Sequence, residues 1–328
     1  MKILICFGTR PEWLKVKPLL KVLGNYKLLF TGQHEDLLKE IQTDDQIEIS
    51  NYGDRLDSII GSCLIRFPYC EDIDAILVQG DTASAFGCAL AAFHRKIKIY
   101  YLEAGLRSYN LEHPYPEEGY RQMISRISDV NFCPTSFSKN NLLHELVKGD
   151  CHVVGNTCLD NLLSYKEKCQ YGKKVLVTLH RRENYDLIDD WFDAINTIAK
   201  DNSDLEFILP MHPSLSADKY NKIKSNVNVI DALPHKMFLD ILCDCRLVIS
   251  DSGGIQEEAS FLNKKVIVCR KTTERPEGRA SGHLVMCPTP DELAGIFRDL
   301  NDNYEIDLDC PYGDGKSSEK IAKIINAN

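Results

Sequence analysis

Short, continuous apolar runs alternate with longer stretches of helical spacing along nearly the whole chain. Lys2–Phe7, Lys27–Phe30, Ala75–Val78, Ile97–Leu102, Val130–Cys133 and His152–Val154 are predicted strands. Between them the spacing predicts helices at Trp13–Leu23, Glu35–Ile41, Leu56–Phe67, Ala83–His94, Glu117–Ser128 and Ser136–Leu146. The alternation restarts with strands at Lys174–Thr178, Phe207–Pro210, Val227–Ile230, Leu247–Ser250 and Lys265–Val268, again with helices between. Strands that are apolar on successive residues fit parallel sheets covered on both faces. The repeated strand–helix order therefore predicts an α/β fold with parallel sheets, in two blocks. Pro311-Tyr312-Gly313-Asp314-Gly315 predicts a turn, and Ser317–Ile325 a last helix.

A chain of 328 residues suits two domains of about 150 residues each. The join is expected within Asn156–Gly172, after Val154-Gly155. In open α/β sheets ligands bind beyond the carboxyl ends of the strands. Two such domains would line an interdomain cleft with those loops. The most pointed junction is Ser250-Asp251-Ser252-Gly253-Gly254-Ile255-Gln256-Glu257-Glu258-Ala259, where a buried strand gives way to a helix. Free N–H groups and the positive end of a helix dipole suit a phosphate there. The two glycines would let backbone approach the anion, and Ser252 could cap the helix or donate to it. Glu258, one turn in, is placed to accept from sugar hydroxyls. A lone Ser-Gly-Gly turn would equally suit a plain capped helix.

Composition narrows the classes. Hydrophobic content of 44% and charged content of 27% describe an ordinary globular chain. A net charge of −9 argues against a general nucleic-acid or anionic-membrane binder. The chain opens on a strand without signal-peptide architecture, and no apolar run approaches the roughly 20 residues that span a bilayer. The thirteen cysteines are scattered and mostly in apolar segments, which predicts free thiols in a reducing cytoplasm. No His-x-x-x-His or compact carboxylate cluster supports a metal site, and no glycine fingerprint or Walker pattern supports a nicotinamide or nucleoside-triphosphate site.

Polar residues sit repeatedly just past the apolar strands. Arg10 follows the first, Asp81 ends Ile76–Asp81, Glu103 ends Tyr100–Glu103, His180 ends Val175–His180, and His212 follows Ile208–Met211. Such positions suit acid–base work because burial there moves pKa values. Each alone also fits a helix cap or an ion pair; the set, with the anion site, points to an enzyme. Arg270–Arg279 is a dense charge cluster, suited to a solvated loop or to phosphate contact.

Phe7-Gly8-Thr9-Arg10-Pro11-Glu12, Thr31-Gly32-Gln33-His34, Gly80-Asp81-Thr82, Glu103-Ala104-Gly105-Leu106-Arg107 and Pro116-Glu117-Glu118 follow one another in the first block. His180-Arg181-Arg182-Glu183-Asn184, Asp251–Glu258 and Thr272–Glu277 follow in the second. In this order they resemble the motifs of non-hydrolysing UDP-N-acetylglucosamine 2-epimerases. The resemblance implies a glycosyltransferase-B (GT-B) architecture of two Rossmann-like parallel-sheet domains with an interdomain cleft. It implies domains at 1–160 and 161–312, with a terminal helix at about 313–328 returning to the first. It also implies reversible 2-epimerisation of UDP-N-acetylglucosamine through 2-acetamidoglucal and UDP, with no cofactor and no metal.

Carried over by position, Asp81, Glu103, Glu117 and His180 match the family's acid–base group. Arg10, Ser252, Gly253 and Gly254 match its diphosphate contacts, Glu258 its ribose contact, and Lys15 and Arg275 further substrate-binding basic residues. The uracil is expected near Leu233–Phe238. Gln33, Glu117, Arg181 and His212 resemble the regulatory site at which bacterial members bind a second substrate molecule. Family members are commonly dimers, so a homodimer with a UDP-sugar as its partner molecule is implied. Trp13, Tyr120 and Glu35 depart from the usual residues, and the chain is short around Gly155–Lys174. A hydrolysing 2-epimerase that releases N-acetylmannosamine, a 2-epimerase of a 6-deoxy UDP-sugar, a glycosyltransferase on the same fold and an inactive nucleotide-sugar sensor are the alternative readings.

Overall fold

The computed structural model describes residues 1–34, 41–68, 71–224 and 226–327. Glu35 and nearly all of the helical pattern at Glu35–Ile41 lie outside the described residues. The chain forms two units, Met1–Asn161 with Gly313–Asn328, and Leu162–Tyr312.

In the first unit, β1 (Ile3–Phe7), β2 (Tyr26–Phe30), β3 (Asp45–Gln46), β4 (Ala75–Gln79), β5 (Lys98–Leu102), β6 (Val130–Cys133) and β7 (Asp150–Val153) form a parallel sheet. Their order is β3-β2-β1-β4-β5-β6-β7. Successive residues of a strand point to opposite faces, and here both faces are buried. Leu4, Cys6, Ile76 and Val78 pack with Ile59 and Cys63 of α2 (Arg55–Arg66) and with Cys88 and Ala89 of α3 (Ala83–His94). Ile3, Ile5 and Phe7 pack the other way, against Val16 of α1 (Arg10–Val16) and Ile321, Ala322 and Ile325 of the terminal helix, Ser317–Ala327. The last helix thus belongs to the first unit. Helices α4 (Glu117–Ile127) and α5 (Ser136–His144) complete this unit.

The second unit opens with a short helix, α6 (Leu163–Lys166). Its sheet comprises β8 (Lys174–Thr178), β9 (Glu206–Pro210), β10 (Val227–Ile230), β11 (Cys245–Ser250), β12 (Lys265–Val268) and β13 (Leu284–Met286), in the order β10-β9-β8-β11-β12-β13. Helices α7 (Ile188–Asp201), α8 (His235–Asp244), α9 (Gly253–Phe261), α10 (Pro276–Ala280) and α11 (Pro290–Asp302) alternate with the strands. Val175, Val177 and Ile249 meet Trp191, Phe192 and Ile195 of α7 and Leu293 and Phe297 of α11 in its core. These are the paired Rossmann-like domains of the GT-B class.

Strand order places the chemistry. In each sheet the order reverses beside the first strand, between β1 and β4 and between β8 and β11. Loops leaving the carboxyl ends of such neighbours diverge and leave room for a ligand. They carry Gly8–Glu12 and Gly80–Thr82 in the first unit, and His180–Asn184 and Asp251–Gly254 in the second.

One predicted helix differs. In place of Trp13–Leu23, α1 begins at Arg10 and ends at Val16, followed by a 3-10 turn over Lys17–Lys21. Pro18 has no N–H to give the Leu14 carbonyl, so α-helical pairing stops. The Leu14 carbonyl accepts from Asn161 Nδ2 at 3.2 Å, and that of Lys15 from Thr157 Oγ1 at 2.5 Å. A proline thus turns the end of α1 into an anchor for the segment that leaves the first unit.

Candidate active site

The first loop of the N-terminal unit is built around a carboxylate whose role the sequence did not disclose. Thr9 caps α1, and Glu12 completes a capping box. Glu12 accepts from the N–H groups of Gly8 at 2.8 Å and Thr9 at 2.7 Å, and from Thr82 Oγ1 at 2.6 Å. It ties the turn after β1 to the turn after β4. Burial pushes its pKa up despite these donors. Arg10, the first residue of α1, is exposed beside this brace.

Asp81 and Glu103 follow β4 and β5, which are paired with Gln79 opposite Leu102. Both carboxylates therefore emerge at the same end of the sheet. Glu103 is buried, and Lys15 Nζ and Gln79 Nε2 both donate to its Oε2. Its φ of 66° is uncommon for a side-chain-bearing residue, and such strain gathers at functional sites. Asp81 is gripped by Arg121, whose Nε and Nη2 lie 2.8 and 2.6 Å from Oδ2. Glu118, fully buried, accepts from the N–H groups of Ser108 and Tyr109, which fixes the loop before α4. Glu117 begins α4, and its Oε2 is buried with no hydrogen-bond partner among the described residues. A buried carboxylate oxygen left without a donor is costly. Gln33 accepts from Ser84 Oγ at 2.7 Å.

Gly105 supports this arrangement from behind. Its φ is 86°, and a Cβ there would lie 2.1 Å from the carbonyl oxygen of Ser138. The obstacle is backbone and cannot swing away. Gly105→Ala is expected to cost about 3 kcal/mol of stability, as left-handed strain adds to overpacking. The shift of the urea-unfolding midpoint measures it, and an unchanged midpoint would mean that the α5 backbone yields freely.

In the C-terminal unit Asp251 is the organiser. It is fully buried and accepts from the N–H of His180 at 3.0 Å, the N–H of Arg181 at 2.9 Å and Asn184 Nδ2 at 3.0 Å. The His180 ring stacks on His212, with centroids 4.1 Å apart. Burial pushes the His180 pKa down to about 4, with His212 and Arg181 adding to the fall and Asp251 opposing it. At neutral pH the imidazole is therefore uncharged, one ring nitrogen a donor and the other an acceptor. Arg181 Nε is buried without a hydrogen-bond partner among the described residues.

Ser252 occupies the N-cap position of α9, yet its side chain makes no capping bond. Of the two roles expected of Ser252, capping or donating to an anion, the cap is not formed; its own N–H donates to Ser250 Oγ at 3.0 Å. The two glycines differ. A Cβ on Gly253 would come within 2.5 Å of Arg275 Nη1, whereas one on Gly254 would meet nothing within 4 Å. Gly253 thus makes room for Arg275, and Gly254 leaves the helix start open. Arg275 is not displayed to solvent: its guanidinium is buried and bonded to Glu257, at 2.6 Å, and to Glu274. Glu258 Oε1 lies 2.9 Å from Nε2 of His235, the first residue of α8, and this contact raises the His235 pKa. The expected uracil segment, Leu233–Phe238, straddles the start of α8.

The structure thus gathers Lys15, Glu103 and Gln79, with Asp81 on the neighbouring strand end, in one unit. It gathers His180, Arg181, His212 and Asp251, with Ser252–Gly254 and Arg275, in the other. Sequence reasoning had assigned no role to Gln79, Arg121, Glu12, Asp251 or His235. Gln79 and Arg121 read as a strand and a helix residue, and only the fold turns them toward carboxylates. Among the described residues no group of three or more His, Cys, Asp or Glu side chains could hold a metal ion. Nor is any described helix long and apolar enough to cross a membrane.

Comparison with known proteins identifies the family. A family model described as UDP-N-acetylglucosamine 2-epimerase matches residues 23–326. The chain is 36% identical to the UDP-N-acetylglucosamine 2-epimerase of Salmonella borreze, over 98% of this chain and 97% of that one. It superposes on the crystal structure of UDP-GlcNAc 2-epimerase from Neisseria meningitidis bound to UDP-GlcNAc with a TM-score of 0.90. That pair is 34% identical, with both chains fully covered. The Methanocaldococcus jannaschii UDP-GlcNAc 2-epimerase, solved with UDP-GlcNAc and UDP, is 28% identical, with a TM-score of 0.83 and full coverage of both chains. Paired parallel sheets, carboxylates past β4 and β5 and a glycine-opened helix after β11 occur here in a chain that belongs to the UDP-N-acetylglucosamine 2-epimerase family.

Proposed function

We propose that this enzyme interconverts UDP-N-acetylglucosamine and UDP-N-acetylmannosamine without hydrolysing them. The observation that carries the reading is the set of carboxylates at one end of the N-terminal sheet. Glu103 is held by Lys15 and Gln79, Asp81 by Arg121, and Glu117 keeps a buried oxygen without a partner among the described residues. The C2 proton of a UDP-sugar is weakly acidic, so its removal needs a positioned, desolvated base and a leaving group that departs with it. Glu103, positioned by Lys15 and Gln79, takes that role. UDP leaves C1, 2-acetamidoglucal forms, and UDP returns as a proton is delivered to the opposite face of C2. The group that delivers it must itself hold a proton at that step, and Asp81, Glu117 and His180 are the candidates.

Departing diphosphate needs fixed donors. The open start of α9 provides the N–H groups of Gly253 and Gly254, the Ser252 hydroxyl and the positive end of a helix dipole, and Arg10 a cation. Glu258 accepts from the ribose, and Lys15 screens the charge on the sugar side. Arg275 acts from behind Gly253. The Pro114-Tyr115-Pro116-Glu117-Glu118 sequence favours the non-hydrolysing type. Family membership supports the reaction, and the UDP-GlcNAc complex of the Neisseria relative supports the substrate. Gln33, Arg181 and His212 are the residues of a possible regulatory site for a second nucleotide sugar. The family resemblance also supports a cytoplasmic homodimer that serves polysaccharide biosynthesis.

Incubation with UDP-N-acetylglucosamine alone in deuterated water tests the proposal. An equilibrium mixture with the manno epimer, deuterated at C2, is expected by carbon and proton NMR. Product without deuterium at C2 would exclude proton exchange. Free N-acetylmannosamine accumulating with UDP would select the hydrolysing reaction instead.

A further inference from the structure

Away from the strand ends that carry the candidate site, two thiols are held face to face. Cys169 lies in the segment between α6 and β8, and Cys243 near the end of α8; their Sγ atoms are 3.0 Å apart. Backbone bonds set this register. The Gln170 N–H donates to the Cys243 carbonyl at 3.0 Å, and the Gly172 N–H to the Asp244 carbonyl at 3.1 Å. Gly172 has no room for a side chain, since a Cβ would lie 2.4 Å from that same carbonyl oxygen. A disulfide needs about 2.05 Å between sulfurs, so closure asks for a movement of about 1 Å.

Access and charge also set Cys169 apart from the buried thiols of the N-terminal core. Cys6, Cys63, Cys88 and Cys133 are fully buried in the N-terminal core. Cys169 is half-buried, and Cys243 borders a surface depression with Tyr165, Lys168, Gln170, Lys236 and Asp240. The buried ammonium of Lys264 donates to the carbonyls of Gln170, at 2.6 Å, and Cys245, at 2.9 Å. A hydrogen bond with Cys243 holds the Cys169 thiol below its usual pKa, and Lys264 and Lys166 add to the effect. Low pKa together with exposure marks the cysteine that reacts first.

We infer that Cys169 and Cys243 are a site of reversible oxidative modification, closing to an intramolecular disulfide on reaction with a peroxide. The Cys169 thiolate attacks one peroxide oxygen, the O–O bond breaks, and hydroxide leaves a sulfenic acid. The Cys243 sulfur then attacks the Cys169 sulfur; its proton and the sulfenic hydroxyl depart as water. Two thiols and one hydrogen peroxide give one disulfide and two waters, and a dithiol reverses the change. The bond pins the segment entering β8 to the carboxyl end of α8.

Reduced full-length protein exposed to hydrogen peroxide, then alkylated and digested without reductant, tests the inference by mass spectrometry. A peptide pair joined through Cys169 and Cys243 is expected, two hydrogens lighter than the separate peptides and lost on adding dithiothreitol. Native protein should lose two of its thirteen thiols and melt several degrees higher. In Cys243→Ser the first step persists without the second, so Cys169 should accumulate as a sulfenic acid trapped by dimedone. The inference is overturned if native protein stops at sulfenic or sulfinic acid on Cys169, or if the link forms only after denaturation. It is equally overturned if peroxide joins Cys133 to Cys151 and leaves Cys169 reduced.

Discussion

Glu103→Gln is expected to lower epimerisation and C2 deuterium exchange together by about a thousandfold, while UDP binding stays within a few-fold of the wild type. A positioned acid or base contributes 10²–10⁴-fold, and a thousandfold corresponds to about 4 kcal/mol of barrier. The amide fills the same space and can still accept from Lys15 and Gln79, the two groups that hold Glu103. It cannot take a proton. The nucleotide contacts proposed at Ser252–Gly254 lie on another unit and another helix, so they should survive. Exchange is followed by proton NMR, and UDP affinity by calorimetry. Exchange near the wild-type rate would move the base to Asp81 or Glu117. Loss of UDP binding in parallel with exchange would make Glu103 a ligand residue. A circular-dichroism spectrum and melting curve like those of the wild type are needed, because the substitution also leaves the Lys15 ammonium without its carboxylate.

The architecture was legible because buried parallel strands announce themselves. Val130–Cys133, Lys174–Thr178 and Lys265–Val268, buried along nearly their whole length, and the edge strand Val227–Ile230 are found with the predicted bounds. β13 escaped, since Leu284–Met286 is three residues at a sheet edge and too short to show a period. The end of α1 escaped because helical spacing outlasted the helix, and Pro18 decided the matter. At the site, sequence position identified which acids and histidines follow strands, but not how each is held. Gln79 looked like the polar end of a strand and proves to be a donor to Glu103. Asp251 looked like a turn residue and proves to gather three donors from the loop after β8. Partners that come from distant parts of the chain leave no local periodicity or capping signal. His180 looked like a base or acid at neutral pH; its burial, visible only in the fold, keeps the ring uncharged.

Arg275→Met should destabilise the C-terminal unit by about 3–5 kcal/mol, before any effect on catalysis is counted. The expectation follows from what surrounds the guanidinium. Its Nε donates to Glu257 and its Nη1 to Glu274, and both carboxylates are nearly sealed from solvent, with side-chain exposures of 1% and 8%. A thioether of similar length takes that cation from the buried Glu257, while Glu274 keeps Arg270, and breaking a buried ion pair from one side costs about this much. Arg275→Lys should recover only part, because an ammonium keeps the charge and loses the fork that reaches two acids at once. Urea unfolding followed by fluorescence reads the loss directly. Trp191 is buried in the C-terminal core, and a Trp13→Phe background removes the other tryptophan. The alternative, that Arg275 binds the substrate directly, predicts a different split: an unfolding midpoint near the wild type with a KM raised tenfold or more. A bracing Arg275 acts from behind Gly253, where a Cβ would meet its guanidinium, and shapes the start of α9. Saturating UDP should then return stability to Arg275→Met by mass action, growing as RT ln(1 + c/Kd) at free UDP concentration c, with a Kd close to that of the wild type.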